Sequence, residues 1–184
     1  MNLEVYKKYF KPSEECYKGK TNPQICKACD GDCCKSMGCH IAPDDLMSLN
    51  VSDIISFIDE SDCISVDWYE GNPVTNERDD KKYYFLRMRN KDENVIAPSW
   101  GGECSILTDK GCSLPFEYRP KGARELIPDL DNCHQNYTKQ QCAIDWMQYS
   151  DIMEQVYNHY IEIEGEPNVI DDALDNLFGL IGLK

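Results

Sequence analysis

The chain has 184 residues and a mass of 21.2 kDa, the size of one domain, and its 41% hydrophobic content can build a core, which excludes a wholly disordered chain. Nineteen Lys and Arg against 33 Asp and Glu leave a formal charge of −14, a field that repels phosphate backbones and anionic lipid, so neither nucleic acid nor a membrane is an expected partner. Taken in order, Leu3, Tyr6 and Phe10 share one side of a short N-terminal helix. Asn22-Pro23 breaks the chain before a dense cysteine loop. Pro43-Asp44-Asp45 reads as the first turn of a helix, with carboxylates at its positive end. A second helix is expected from Ser52, burying Ile54, Ile55 and Ile58. Ile64, Val66 and Trp68 then alternate with polar residues, as do Tyr84, Leu86 and Met88, which predicts two strands joined by an exposed loop over 72–80. Cys104 to Leu107, Thr108 to Gly111 and Cys112 to Leu114 read as a hairpin. Thr138 with Gln141 fits a capping box ahead of one long helix, whose stripe is Cys142, Trp146, Tyr149, Met153, Val156 and Tyr160. Gly165 and Pro167 end it, and Val169 to Leu180 reads as a final short helix.

Together these elements predict an α+β fold: a small, cysteine-rich, metal-stapled domain with a short antiparallel sheet or hairpin and C-terminal helices. One domain over 1–184 is expected, with a cysteine-cluster core at about 22–137 and a helical extension at about 138–184.

Eleven cysteines set the chemistry. The first ten residues mix charges and show no apolar signal region, and the longest apolar stretch, Leu177 to Leu183, is too short to span a bilayer. A cytoplasmic protein keeps its thiols reduced, and clustered reduced thiols point to metal. Export with a disulfide framework is the competing reading, and an odd count would leave one thiol over.

Cys26-Lys-Ala-Cys29 has a spacing that lets a tight turn aim two thiolates at one ion, and Cys33-Cys34 follows after Asp30-Gly31-Asp32. Adjacent side chains point apart, so either one of that pair is a bystander, the site is polynuclear, or the two serve different metals. Cys104 and Cys112 stand at the two ends of the hairpin turn, where strand pairing would bring their thiols to one side. Cys16 and Cys63 read as small buried hydrophobes, and Cys142 divides evenly between core and ligand. His40 and His134 are alternative nitrogen ligands or hydrogen-bonded histidines; His159 reads as solvated.

The run Cys26-x-x-Cys29-x-x-x-Cys33-Cys34, the segment Pro43-Asp44-Asp45-Leu46, and then Gly102-Glu-Cys104-Ser-Ile-Leu107, Gly111-Cys112-Ser-Leu114 and Tyr118-Arg119-Pro120 together resemble the YkgJ-type cysteine-cluster family. That family is described as a zinc- or iron-chelating domain, and flagellin lysine-N-methylase resembles it as well. The resemblance runs from about Cys26 to Cys133 and implies that Cys133 is a further ligand. Two departures stand out. Three residues rather than two separate Cys29 from the Cys-Cys pair, and Ala123 replaces the cysteine expected after Arg119-Pro120, while Arg124 is retained. Cys133, Cys39, Cys142 and His134 are the available substitutes.

The expected function is therefore metal chelation by two distant groups of cysteines, Cys26, Cys29, Cys33 and Cys34 in one, Cys104, Cys112 and Cys133 in the other. The cofactor is a 4Fe-4S iron–sulfur cluster or zinc. Four thiolates suit either, and no spacing here matches the bacterial ferredoxin run. Arg119 and Arg124 would offset the thiolate charge or form ordinary ion pairs. Two other classes compete: an S-adenosylmethionine-dependent protein methyltransferase, by analogy with the flagellin enzyme, and an acidic partner-binding module using the Tyr83-Tyr84-Phe85 strand. No glycine-rich nucleotide loop or nucleophile elbow is present in the sequence.

Overall fold

The computed structural model describes residues 2–13, 32–36, 38–98, 101–109, 111–127 and 134–167. Helix α1 (Leu3–Tyr9) opens on Asn2, whose side-chain oxygen accepts the Glu4 N–H at 3.1 Å. A five-residue helix, α2 (Asp32–Ser36), leads to strand β1 (His40–Ile41). Pro43–Asp45 forms one 3₁₀ turn that goes no further as a helix, because Leu46 is already extended. Helix α3 (Val51–Ser61) is capped by Asn50, two residues before the expected start, and Asp62 ends it in the left-handed region at φ 50°. Its buried side is Ile54, Phe57 and Ile58; Ile55 lies half-buried beside them, so the aromatic takes the place expected for an isoleucine.

Strands β2 (Ile64–Glu70) and β3 (Lys82–Met88) pair antiparallel along their whole length, and β1 joins the other edge of β3, giving the order β1-β3-β2. The segment 93–97 lies along the free edge of β2 through the Val66 N–H to the Val95 carbonyl and the Ala97 N–H to the Val66 carbonyl. The connection over 72–80 is mostly exposed, as its composition predicts. Further on come the two-residue strands β4 (Leu107–Thr108) and β5 (Gly111–Cys112), then a 3₁₀ turn at Phe116–Tyr118 and the single-turn helix α4 (Lys121–Arg124). Strands β6 (Leu126–Ile127) and β7 (His134–Gln135) pair with each other.

Thr138 caps helix α5 (Lys139–Trp146), accepting the Gln141 N–H at 3.2 Å. The single long helix expected here is in fact two. A 3₁₀ turn at Met147–Tyr149 separates α5 from helix α6 (Ser150–Glu164), which ends on Gly165 at φ 84°. Cys142, Trp146, Met153, Val156 and Tyr160 of the stripe are buried on both sides of the break. The final helix expected over 169–180 lies outside the described residues. Mixed helix and antiparallel sheet agrees with the α+β expectation.

The two faces of the sheet differ in chemistry. Register puts Ile41, Leu86, Met88, Ile64, Val66, Tyr84 and Trp68 on one face, and α6 covers it with Tyr157, stacked on Tyr84 at 4.2 Å between ring centroids. The other face carries His40, Arg87, Ser65, Asp67 and Phe85. Their alternation with apolar residues predicts a solvated face, and that expectation fails: all five are fully buried. Helix α5 lies over them, with the Lys139 ammonium 3.0 Å from Asp67 and over the Phe85 ring.

Candidate metal centre

Cysteines gather where β3 ends. The Met88 N–H donates to the Cys39 carbonyl at 2.9 Å, and the Arg89 N–H donates to the Cys63 carbonyl at 2.7 Å. Asn90 bridges to Cys104, and the Cys104 N–H donates to the Cys34 carbonyl at 2.7 Å. Three consecutive residues, Met88 to Asn90, thus receive cysteine-bearing backbone from three segments, and Cys104 ties in a fourth. Cys112 is paired with Leu107 in the β4–β5 ribbon.

Local sequence explains why the segments fit together. Gly38 passes so close to β3 that a Cβ there would stand 1.8 Å from the Met88 carbonyl oxygen, so only glycine lets Cys39 reach its place. Gly102, at φ 139°, lies against the Asn90 side chain, where a Cβ would meet it at 3.1 Å. Asn90 is buried and bonds in three directions. Its Oδ1 accepts the Gly38 N–H at 2.7 Å, its Nδ2 donates to Glu93 Oε1 at 2.7 Å and to the Gly101 carbonyl at 3.3 Å, and its backbone N–H donates to Glu93 Oε2.

The thiols here are held neutral. Burial raises Cys104 to about 11 and Cys63 to about 11. Burial also lifts Cys39 well above the ordinary thiol value, reinforced by the charges of Cys104, Cys112 and Asp45. Tyr6 of α1 is completely buried, and its hydroxyl has no hydrogen-bond partner among the described residues. Burial is the main reason its phenol is pushed up, followed by the charges of Cys63, Cys39, Asp45 and Cys112, which places that hydroxyl in the same neighbourhood.

The structure separates the sequence candidates. Cys34, Cys104 and Cys112 are described, all as free thiols. Cys33 is described in its backbone alone, within α2, and Cys26, Cys29 and Cys133 lie outside the described residues, as does Cys16. Cys104 and Cys112 do not flank the hairpin turn as a facing pair. Cys112 faces Leu107, while Cys104 precedes the ribbon and bonds towards α2 and Asn90, because the strands are only two residues long. Among the described residues, no three His, Cys, Asp or Glu side chains already stand where they could hold a metal ion. The signal missed in the sequence was Cys39 and Cys63, whose isolation conceals that strand pairing brings them to the same end of β3.

The other candidates settle into structural roles. Cys142 is buried and its thiol points at the Ile41 carbonyl at 3.5 Å, beside the Trp146 indole N–H at 2.8 Å from the same oxygen. Arg124 pairs with the buried Asp45 carboxylate at 2.9 Å and also donates to the Arg119 carbonyl; Arg119 donates to the Leu114 carbonyl. Asp45 also accepts the Ala42 and Lys121 N–H groups, so the two arginines lock α4 to the turn after β1 rather than face thiolates. Gly122 of α4 packs on the His40 backbone, where a Cβ would meet its carbonyl at 2.8 Å. His40 is fully buried against the Phe85 ring, and burial lowers its imidazole to about 4. His159 is half-buried with its ring against Tyr160, and the His134 side chain lies outside the described set. No helix among the described residues is long and apolar enough to cross a membrane. Comparison of the chain with protein-family models, with curated proteins and with solved structures returns no match.

Proposed function

We propose that this chain chelates metal, holding an iron–sulfur cluster or a zinc ion between two groups of cysteines far apart in sequence. The observation that carries the reading is the 2.7 Å hydrogen bond from the Cys104 N–H to the Cys34 carbonyl, which sets the end of the first cysteine group against the start of the second. Neutral buried thiols beside an orphaned phenol are a costly arrangement for a chain to keep on its own, and a cation that stabilises thiolates removes that cost. Cys26, Cys29, Cys33 and Cys34 would supply one side of the centre, and Cys104, Cys112 and Cys133 the other. Such a centre either fastens the fold or carries electrons, and the reduced thiols it needs call for a reducing compartment such as the cytoplasm.

Anaerobic purification, elemental analysis, acid-labile sulfide and a visible spectrum test the reading together. Iron with sulfide identifies a cluster, and zinc in a colourless protein identifies a single-ion site; protein that takes up neither overturns it. Replacing Cys26 and Cys29 together by serine is expected to release the metal and lower the melting temperature, because ligation is coupled to folding.

A further inference from the structure

The cysteine that the sequence pattern leaves isolated is better placed than several that the pattern picks out. We infer that Cys39 is a further thiolate ligand of the centre formed by Cys104 and Cys112, and that the Tyr6 hydroxyl is a positioning donor facing those sulfurs. This rests on the metal-binding reading above and deepens it.

Three observations converge. Cys39 is fixed in place by its carbonyl on Met88 and by Gly38 wedged against the same residue, and Cys104 is fixed two residues further along the same edge through Asn90. Asn90 holds both segments at once, with Gly38 on its oxygen and Gly101 on its nitrogen. Tyr6 then brings a buried hydroxyl with no partner among the described residues into this neighbourhood, its ring clamped by Phe10 at 4.7 Å and Phe57 at 5.4 Å so that the hydroxyl cannot swing away. A buried O–H without an acceptor is unfavourable, whereas a metal-bound thiolate is a good acceptor for it. Since the backbone positions are set, closure of the thiols on an ion requires only rotation about their side-chain bonds. Cys63, buried at the tail of α3, and Cys142, bonded to a carbonyl, are internal comparisons.

The experiment uses the full chain, purified anaerobically, with cobalt(II) as the probe. Wild-type protein is alkylated with iodoacetamide before and after loading, and each cysteine is read by mass spectrometry. Cys39, which is half-buried and so reachable, is expected to lose alkylation about tenfold on loading, because a ligated sulfur is withdrawn from attack. Cys39→Ser is expected to weaken the sulfur-to-cobalt charge-transfer band. Tyr6→Phe is expected to keep the cobalt stoichiometry while shifting that band and speeding loss of metal to a chelator; a tyrosine that only packs would leave the band unmoved. If wild-type protein loads cobalt yet Cys39 is alkylated equally in both states, this inference fails while the metal-binding reading stands. If wild-type protein loads no cobalt and contains no zinc or iron, both fail. The footprint needs no variant, so a poorly folding Cys39→Ser leaves the result intact.

Discussion

Arg87 and Asn90 lie three residues apart at the end of one strand, and the buried polar groups around them are treated in opposite ways. The Arg87 guanidinium is fully buried and donates to Asp67 at 3.1 Å, to Glu93 at 2.8 Å and to the carbonyls of Met88 and Ala97. Asp67 also accepts Lys139 and its neighbour's N–H. Charge is balanced inside the chain, and nothing from outside is called for. Around Asn90 the backbone is just as firmly bonded, but the functional groups it presents are not. Cys39, Cys63 and Cys104 are kept protonated by burial, and the hydroxyls of Tyr6 and Ser105 find no acceptor among the described residues. Each such group costs about 1–3 kcal/mol, and native chains keep few of them. A chain that satisfies one buried region completely and leaves its neighbour open has kept the open one for a ligand.

The sharpest way to break the comparison is at the closed region. Arg87→Leu leaves Asp67 and Glu93 buried with only Lys139 nearby, and is expected to cost about 3–5 kcal/mol in urea unfolding. The fraction that stays folded should still take up metal at the wild-type ratio; loss of metal at full folding would show that the two regions are one site.

His40 gives the next effect, and it belongs to the closed region too. Burial lowers its imidazole most, Lys139 and Arg87 lower it further, and Asp67 pulls the other way. With a folded value of about 4 against about 6.5 unfolded, the unfolded chain binds a proton between those limits and the folded chain does not. Stability is therefore fully present above about pH 6.5 and declines by about 3 kcal/mol as the pH falls to 4. His40→Gln should flatten that part of the metal-free protein's stability profile. An unchanged slope would mean that other groups carry it.

Asn90→Ala comes third and separates the regions most cleanly. Removing the acceptor of the Gly38 N–H and the donor to Glu93 and Gly101 is expected to cost about 2 kcal/mol, less than Arg87→Leu. Its effect on metal content should nonetheless be the greater, since it frees the Cys39 segment from the Cys104 segment. Elemental analysis of the two variants side by side decides the order.

The sequence made some of this legible and hid the rest for identifiable reasons. The Thr138 cap could be read because an N-cap oxygen serves a backbone N–H at a fixed offset, so the signal is wholly local. The 72–80 loop was readable from polar residues with no apolar periodicity. The closed region was not. Ser65, Asp67 and Arg87 alternate with apolar residues, and that pattern is identical whether the polar face meets water or a helix; only the packing of α5, about seventy residues later, decides between them. Nor does anything between Trp146 and Ser150 announce the 3₁₀ break, as the segment contains neither glycine nor proline and the apolar stripe runs straight through it. At the candidate site, clustered cysteines drew the eye because spacing is local. Cys39 was the harder one to see, and the usable clue was the glycine before it, which marks a close backbone approach.

The smallest expected effect changes sign with metal. In the metal-free protein the Tyr6 hydroxyl is buried without a partner, so Tyr6→Phe removes a desolvated polar group and keeps the ring packed between Phe10 and Phe57. That substitution should be neutral or stabilising, by up to about 1 kcal/mol. In the metal-loaded protein the same hydroxyl has a thiolate to donate to, and its removal should destabilise by a similar amount, about 1 kcal/mol, as loss of a hydrogen bond to a charged acceptor does. Thermal melts of wild-type and Tyr6→Phe protein, each with and without metal, form a four-way comparison in which general effects of the mutation on packing cancel. A crossing of the two lines ties the hydroxyl to the bound state. Parallel lines would return Tyr6 to the core as an aromatic whose oxygen has no task.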